Sequence, residues 1–364
     1  MKSILITSRD PCLKFSNPTG PGKSIQLIIP LIETKYNIYL LSTEDKSKYL
    51  YFYDREKKIF IKKKLFLVFR KKFDIIYING IFSILYCFLP LLFKSKFFVS
   101  PRGMLGDESF EFKTIRKKFY VFFLRILMLY KKANFISSSD KETQEIKVFL
   151  KKLGRNDIIQ IPNLTGLKEY NNQEILINKS ELKTKKKFKF ITPSTISRKK
   201  NLLKTIKALN NLKDKIDFDY DIYGSVNDIS YYKEIQKYLS KNKLDNISIK
   251  STLPNQKLVD KLKNYDAMLL FTKGENFGHV IPESAKSLLP FLISNKTPWN
   301  YFDKYFFGVI CDEELLISIE NCIYNFTKLN NLELINLKKS IQKFYNNIVD
   351  MEHENIEKFK FIFK

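Results

Sequence analysis

Short apolar runs alternate with longer stretches of helical periodicity along most of this 364-residue chain, and that alternation is the signature of parallel α/β sheets. In the first half, residues 4–7, 38–41, 75–78, 97–100 and 135–137 read as strands; in the second half, residues 188–192, 218–223, 247–250, 267–271 and 291–294 do. Helical patterns such as residues 202–212 and 231–242 fall between them, and the chain from Leu332 onward reads as helical. The two sets of strands are separated near Ile161-Pro162-Asn163 by a polar, lysine-rich stretch. Two successive Rossmann-like domains follow: residues 1–163, a linker 164–187, residues 188–345, and a C-terminal helix 346–364. The length suffices for two cores of ordinary size.

Composition narrows the partners. The net charge is +26, from 64 Lys and Arg against 38 Asp and Glu, which implies an anionic partner: a membrane surface, a nucleic acid or a charged glycan. Residues 55–72 carry nine cations against one acid, and residues 113–132 carry seven cations and no acid; both are interleaved with aromatic side chains. That mixture suits an anionic membrane surface. Residues 119–124 are apolar nearly all round and read as core, which leaves their basic flanks as the candidates. Four scattered cysteines and two histidines suggest neither a disulfide framework nor a zinc site. No secretory signal is visible, and a cytoplasmic setting fits. The uncharged run 75–93 has membrane-spanning length, but Asn79-Gly80 and Pro90 interrupt it, so it reads as strand, loop and helix.

The apolar run 267–271 is followed by Gly274-Glu275-Asn276-Phe277-Gly278-His279-Val280-Ile281-Pro282-Glu283. Glu275 and Glu283 stand eight positions apart across a strand–loop–helix junction, with Gly278 and a helix-starting Pro282 between them. The first carboxylate stays in the loop, the second sits on the first helical turn, and free N–H groups between them can take an anion. A phosphate flanked by hydroxyls, as in a sugar nucleotide, suits that pattern. The segment resembles the Glu-x7-Glu motif of retaining, family 4-like glycosyltransferases of the GT-B fold, and Leu288-Leu289-Pro290-Phe291-Leu292-Ile293-Ser294-Asn295-Lys296-Thr297-Pro298-Trp299 is similar to the helix end, strand and loop that follow it. The resemblance implies an α/β GT-B architecture, two Rossmann-like domains whose parallel sheets face each other across a cleft, with the acceptor on the first domain and the donor on the second. It implies that Glu275 contacts donor-sugar hydroxyls, that Glu283 contacts those of the ribose, and that the amides of Asn276, Phe277 and Gly278 face the diphosphate. A carboxylate suits both roles because it can accept from two vicinal hydroxyls at once.

Three further segments bear on this expectation. Ser197-Arg198-Lys199-Lys200-Asn201 is similar to the family's Arg-x4-Lys pattern, whose cations stabilise the departing diphosphate. Lys200 matches the lysine; Thr195 stands in the arginine's place, and Arg198 is the candidate to supply the second cation from a shifted position. Asn17-Pro18-Thr19-Gly20-Pro21-Gly22-Lys23-Ser24 is not a P-loop, since Asn17 stands where the first glycine is needed. Gly20 and Gly22 either let backbone approach a phosphate or sugar or are turn residues only. Ser100-Pro101-Arg102-Gly103-Met104-Leu105 looks like the Pro-Arg-Gly-Met-Leu signature of a bacterial subgroup that builds surface polysaccharides. Arg102 then touches donor phosphate or acceptor, or else pairs structurally with a buried carboxylate. Asp217-Phe218-Asp219 has a metal-binding form but enters a strand and reads as structural, and His279 reads as a packing or capping residue. Two departures stand out: Leu289 in place of the glycine usual before Pro290, and Ser251 where a glycine often follows a strand.

The sequence therefore points to a retaining glycosyltransferase that moves a sugar from a nucleotide-sugar donor to a glycan or lipid-linked acceptor. The setting is bacterial capsule, O-antigen or lipopolysaccharide synthesis, peripheral at the inner face of the cell membrane. No metal and no other cofactor is expected. The alternatives are a non-catalytic partner subunit of the same fold, a sugar-nucleotide epimerase, and a polybasic nucleic-acid binder, for which no RNA-binding signature is present.

Overall fold

The computed structural model of the protein describes residues 1–8, 20–42, 49–81, 83–106, 119, 122, 133–151, 158–167, 187–253, 255–299 and 315–364. Backbone contacts divide the chain into two units, one of Met1–Gly166 with Glu352–Lys364 and one of Leu167–Met351.

The first unit is built on eight strands: β1 (Lys2–Ser8), β2 (Tyr36–Ser42), β3 (Tyr49–Asp54), β4 (Ile59–Lys63), β5 (Ile75–Asn79), β6 (Lys96–Ser100), β7 (Ala133–Ser137) and β8 (Ile158–Gln160). Their order across the sheet is β4-β3-β2-β1-β5-β6-β7-β8. All neighbours are parallel except that β3 runs antiparallel to both β2 and β4. Helices α1 (Gly20–Ile32), α2 (Leu67–Arg70), α3 (Ile84–Leu92) and α4 (Asp140–Lys151) accompany it. Because successive strand residues point to opposite faces, one core layer collects Leu5, Ile76, Ile78, Val99 and Phe135. The other collects Ile4, Ile6, Tyr77, Phe98 and Ile136. Burial on both faces is why β5 reads as an unbroken apolar run. The run 75–93 is thus a strand, a turn and a nine-residue helix, and among the described residues no helix is long and apolar enough to cross a membrane.

The second unit holds five parallel strands, β9 (Phe188–Pro193), β10 (Phe218–Tyr223), β11 (Ile247–Lys250), β12 (Ala267–Leu270) and β13 (Phe291–Ile293), in the order β11-β10-β9-β12-β13. Its helices are α5 (Leu202–Leu212), α6 (Ile229–Asn242), α7 (Asn255–Leu262), α8 (Val280–Lys286), α9 (Leu316–Thr327) and the long α10 (Asn331–Ile362). From β9 the chain winds outward to β10 and β11, then returns to the other side of β9 as β12 and β13. Between β9 and β12 lies the topological switch point, and open α/β sheets take their ligands at the carboxyl ends of the strands at such a point. Gly224 permits the loops after β9 and β10 to touch: a Cβ there would lie 1.8 Å from the Ser194 carbonyl oxygen.

Helix α10 starts in the second unit and ends in the first. Phe359, Ile362 and Phe363 join the first unit's core, Phe363 stands edge-on to Tyr77 at 5.9 Å, and the Tyr36 hydroxyl donates to the Phe363 carbonyl at 2.9 Å. Glu352, 4% exposed, accepts from the amides of Thr165 and Gly166, both at 2.8 Å.

Three strands escaped the sequence reading: β3, β4 and β8. The β3–β4 hairpin lies at the sheet edge, and its basic residues hid a pair of strands whose turn is set by Asp54 accepting from the amides of Glu56 and Lys57, both at 3.1 Å. Strand β8 has only three residues. In the segment 119–124, which the sequence reads as core, the two described residues differ from that reading: Phe119 and Phe122 are 69% and 58% exposed, and the other four lie outside the described residues. Much of the linker 164–187 and of the basic stretch 113–132 lies outside the described residues, as does Asn17-Pro18-Thr19.

Candidate functional site

The loops leaving β9 and β12 meet at the switch point of the second unit. The first forms a single 3-10 turn, Arg198–Lys200, ended by Asn201 in the left-handed region at φ 55°. The Lys199 carbonyl accepts from the Lys273 amide at 2.9 Å and from the Thr272 hydroxyl at 3.0 Å. These two bonds lash the loops together and bring the Lys200 ammonium onto the Glu275 carboxylate as an ion pair. Both side chains are mostly buried, 17% and 16% exposed. The Glu275 amide donates to the Lys296 carbonyl at 3.0 Å, and its carboxylate also accepts from the Asn276 amide at 3.2 Å. Burial pushes the Glu275 carboxyl up. The Lys200 ammonium, by charge and by hydrogen bond, together with the Lys199 charge and the Asn276 N–H, outweighs burial and holds it below the ordinary glutamate value. The Asn276 amide, expected to face a diphosphate, is thus engaged by Glu275.

Gly278 continues the loop at φ +75°, a conformation costly for a side-chain-bearing residue. A Cβ there would lie 3.0 Å from Glu275 Cγ. The preceding peptide is held by Trp299, whose indole N–H donates to the Phe277 carbonyl. In a trans peptide the N–H points opposite to the C=O, so this bond turns the Gly278 amide away from Trp299. The Trp299 ring packs on Phe277 at 5.0 Å and on Phe344 at 5.7 Å, which fixes its donor. Helix α8 then begins, with Pro282 and Glu283 in its first turn and the Glu283 side chain in a residue only 8% exposed. His279 packs on Phe277 at 4.7 Å, as a packing residue should.

Other expected residues fall elsewhere. The Arg198 guanidinium is 3.6 Å from Asp228 and 2.9 Å from Glu234 and lies over the Tyr231 ring at 5.1 Å. Helix α6 therefore holds it, and it does not join Lys200 at Glu275; two carboxylates outcompete a shifted position in the site. Gly20, Gly22 and Arg102 belong to the first unit. Gly20 opens α1, and a Cβ there would meet nothing within 4 Å, so no steric need for glycine exists at that position. Arg102 is held in the left-handed region at φ 59° and donates to Asn79 Oδ1 at 2.6 Å, to the Tyr77 hydroxyl at 2.8 Å and to Asn163 Oδ1. All three acceptors are neutral, so among the described residues the carboxylate pairing considered for this arginine is absent. Asp219 pairs with Lys187 at 2.8 Å, a structural role. Next to Leu289, which stands where a glycine is usual, Leu288 takes the left-handed conformation at φ 51°, and the Leu289 amide caps the end of α8 on the Ser284 carbonyl at 3.0 Å.

Sequence reasoning missed Thr272 and the backbone of Lys199. Their part is to tie two loops distant in the chain, and no local pattern announces it. Thr297, in the loop beside Lys296, has its hydroxyl buried without a partner among the described residues.

Residues 173–323 match the family model described as Glycosyl transferases group 1. No curated protein matches the sequence. Among solved structures, HepE of Anabaena in complex with UDP and glucose is similar, with a TM-score of 0.72 at 13% identity over 98% of this chain and 99% of that one. Sucrose-phosphate synthase of Thermosynechococcus elongatus is similar with a TM-score of 0.77 at 11% identity, over 100% of this chain and 99% of that one. WaaG, a glycosyltransferase involved in lipopolysaccharide biosynthesis, follows with 0.64 at 12% identity, over 98% and 99%. At such identities the likeness establishes the fold: two Rossmann-like units of the GT-B kind.

Proposed function

We propose that this protein is a retaining, family 4-like glycosyltransferase. It moves a sugar from a nucleotide-sugar donor to a glycan or lipid-linked acceptor in the synthesis of a bacterial surface polysaccharide, at the inner face of the cell membrane. The observation that carries the reading is the Lys200–Glu275 pair, buried at the carboxyl ends of β9 and β12 and followed by Glu283 on α8. A departing nucleoside diphosphate needs fixed positive charge that is already in place as the bond breaks. Lys200 supplies it, steadied by Glu275 and by the braced Lys199 backbone. The Gly278 amide, aimed by Trp299, adds a donor for phosphate oxygen. Glu275 takes donor-sugar hydroxyls, and Glu283 takes those of the ribose. In the first unit, Arg102 meets an anionic group of the acceptor or of the donor. No metal or other cofactor is called on.

The match of residues 173–323 to group 1 glycosyltransferases supports a transferase. The HepE complex, which holds UDP and glucose, supports a nucleotide-sugar donor, and WaaG supports the surface-polysaccharide setting. Calorimetry and thermal shift with UDP, GDP, ADP, CMP and their sugars test the reading, on the wild type and on Glu283→Ala. Tight binding of one diphosphate, lost in the variant at an unchanged fold, is expected; no binding of any of them sinks the transferase. One observation favours a second reading, a non-catalytic partner subunit. With Thr195 in the arginine's place and Arg198 held by Asp228 and Glu234, the cation the site ion-pairs with Glu275 among the described residues is Lys200. Nucleotide binding without turnover of any donor sugar would select that reading.

A further inference from the structure

Within the first unit, the segment from β4 through α2 exposes side chains that water alone gives no reason to expose. We propose that this segment is a docking surface for an anionic phospholipid bilayer; the proposal rests on the membrane part of the function above and gives it a location. Phe66 and Phe69 are 47% and 60% exposed. The amides of Leu67, Val68 and Phe69 bond to the carbonyls of Lys64, Leu65 and Phe66, so the two rings stand one turn apart on the same face. The opposite side of the turn is anchored. Val68 is buried in the core, and Leu65 and Leu67 pack against it. The rings are therefore held outward by a fixed base.

Cations surround them. Lys62, Lys63, Lys64, Arg70, Lys71 and Lys72 are all exposed, and Glu56 is the single acid in residues 55–72. Lysines on an edge strand such as β4 discourage pairing with another sheet, but that role explains no exposed phenylalanine. The same pattern recurs in the same unit: Phe119 and Phe122 also stand at helical spacing, are exposed, and lie in a stretch of seven cations without an acid. Apolar rings that enter the acyl boundary, ringed by cations at headgroup level, match a bilayer that is anionic at its surface and apolar beneath. A nucleic acid fits less well. Base stacking uses ring faces, and the Arg70 guanidinium already lies over that of Phe66 at 5.1 Å.

The test is co-sedimentation of the full chain with vesicles of phosphatidylcholine alone and of phosphatidylcholine with phosphatidylglycerol. Binding to the anionic vesicles only is expected. The variant Phe66→Ser with Phe69→Ser should bind them about tenfold more weakly or worse, with melting temperature and nucleotide binding unchanged because both side chains are exposed. Phe119→Ser with Phe122→Ser gives an independent second variant with the same expected loss. The proposal is overturned if the wild type ignores anionic vesicles, if it binds neutral ones equally well, or if Phe66→Ser with Phe69→Ser binds as the wild type does. It is equally overturned if single-stranded RNA displaces the vesicles while either double variant keeps full affinity for them. Nucleotide binding by the same samples reports on the second unit separately, so failure here and failure of the transferase reading are told apart.

Discussion

Replacing Lys200 by alanine isolates what the ion pair of the second unit does. The change leaves the Glu275 carboxylate at 16% exposure with its ammonium partner gone. Breaking a buried pair on one side costs about 3–5 kcal/mol, and the residual exposure of both groups brings the cost below that range, to about 2–3 kcal/mol. For a unit of the size of Leu167–Met351 that is a fall in melting temperature of roughly 4–12 °C. The pH dependence carries the sharper signature. In the wild type the Glu275 carboxyl is held below its ordinary value. The stability it contributes is therefore fully present above the unfolded carboxylate pKa, about 4.3, and is lost as pH falls through the lower folded value. Without Lys200, burial becomes the leading influence and raises the carboxyl above its unfolded value. The variant should then gain stability relative to the wild type as pH falls through the carboxylate range. Denaturant or thermal unfolding of both proteins between neutral pH and the acid limit measures this. A loss under about 0.5 kcal/mol with a wild-type pH profile would refute the argument, since it would mean that water and not Lys200 sustains the charge of Glu275.

Arg198→Ala should leave nucleotide affinity unchanged and cost under about 1 kcal/mol of stability, since its pairs with Asp228 and Glu234 are partly exposed; a large loss of nucleotide binding would return this arginine to the site. Trp299→Phe keeps the ring packing and removes the donor to the Phe277 carbonyl. It should cost about 1 kcal/mol by unfolding and weaken diphosphate binding by calorimetry, and unchanged affinity would separate the indole from the loop's function. Leu288→Gly should raise stability by about 1 kcal/mol, because a leucine is held at φ 51°; a fall in melting temperature would show that the leucine's packing outweighs its backbone strain.

The alternation of apolar runs with helical patterns is enough to recover ten of the thirteen strands among the described residues, because a parallel strand buried on both faces must be apolar throughout, as β5 and β12 are. Glu275, Gly278 and Glu283 were legible because strand, loop and helix start are local events with local residue requirements. Edge strands were not: β4 faces solvent along much of its length and so carries lysines where a central strand carries isoleucine. The same holds for every feature that depends on a partner far along the chain. Composition put Phe119 in a core, and only packing could show it exposed; spacing could offer Arg198 to the site, and only the positions of Asp228, capping the start of α6, and of Glu234 within it could take it away. The sequence by itself determined where most of the strands lie, the two-sheet plan and the strand–loop–helix junction that bears Glu275 and Glu283, all of which follow from hydrophobic periodicity and turn chemistry. The tertiary structure alone decided which cation reaches Glu275, since side chains from residue 200 and residue 275 meet only after β9 and β12 have paired and the Lys199 carbonyl has been tied to the following loop.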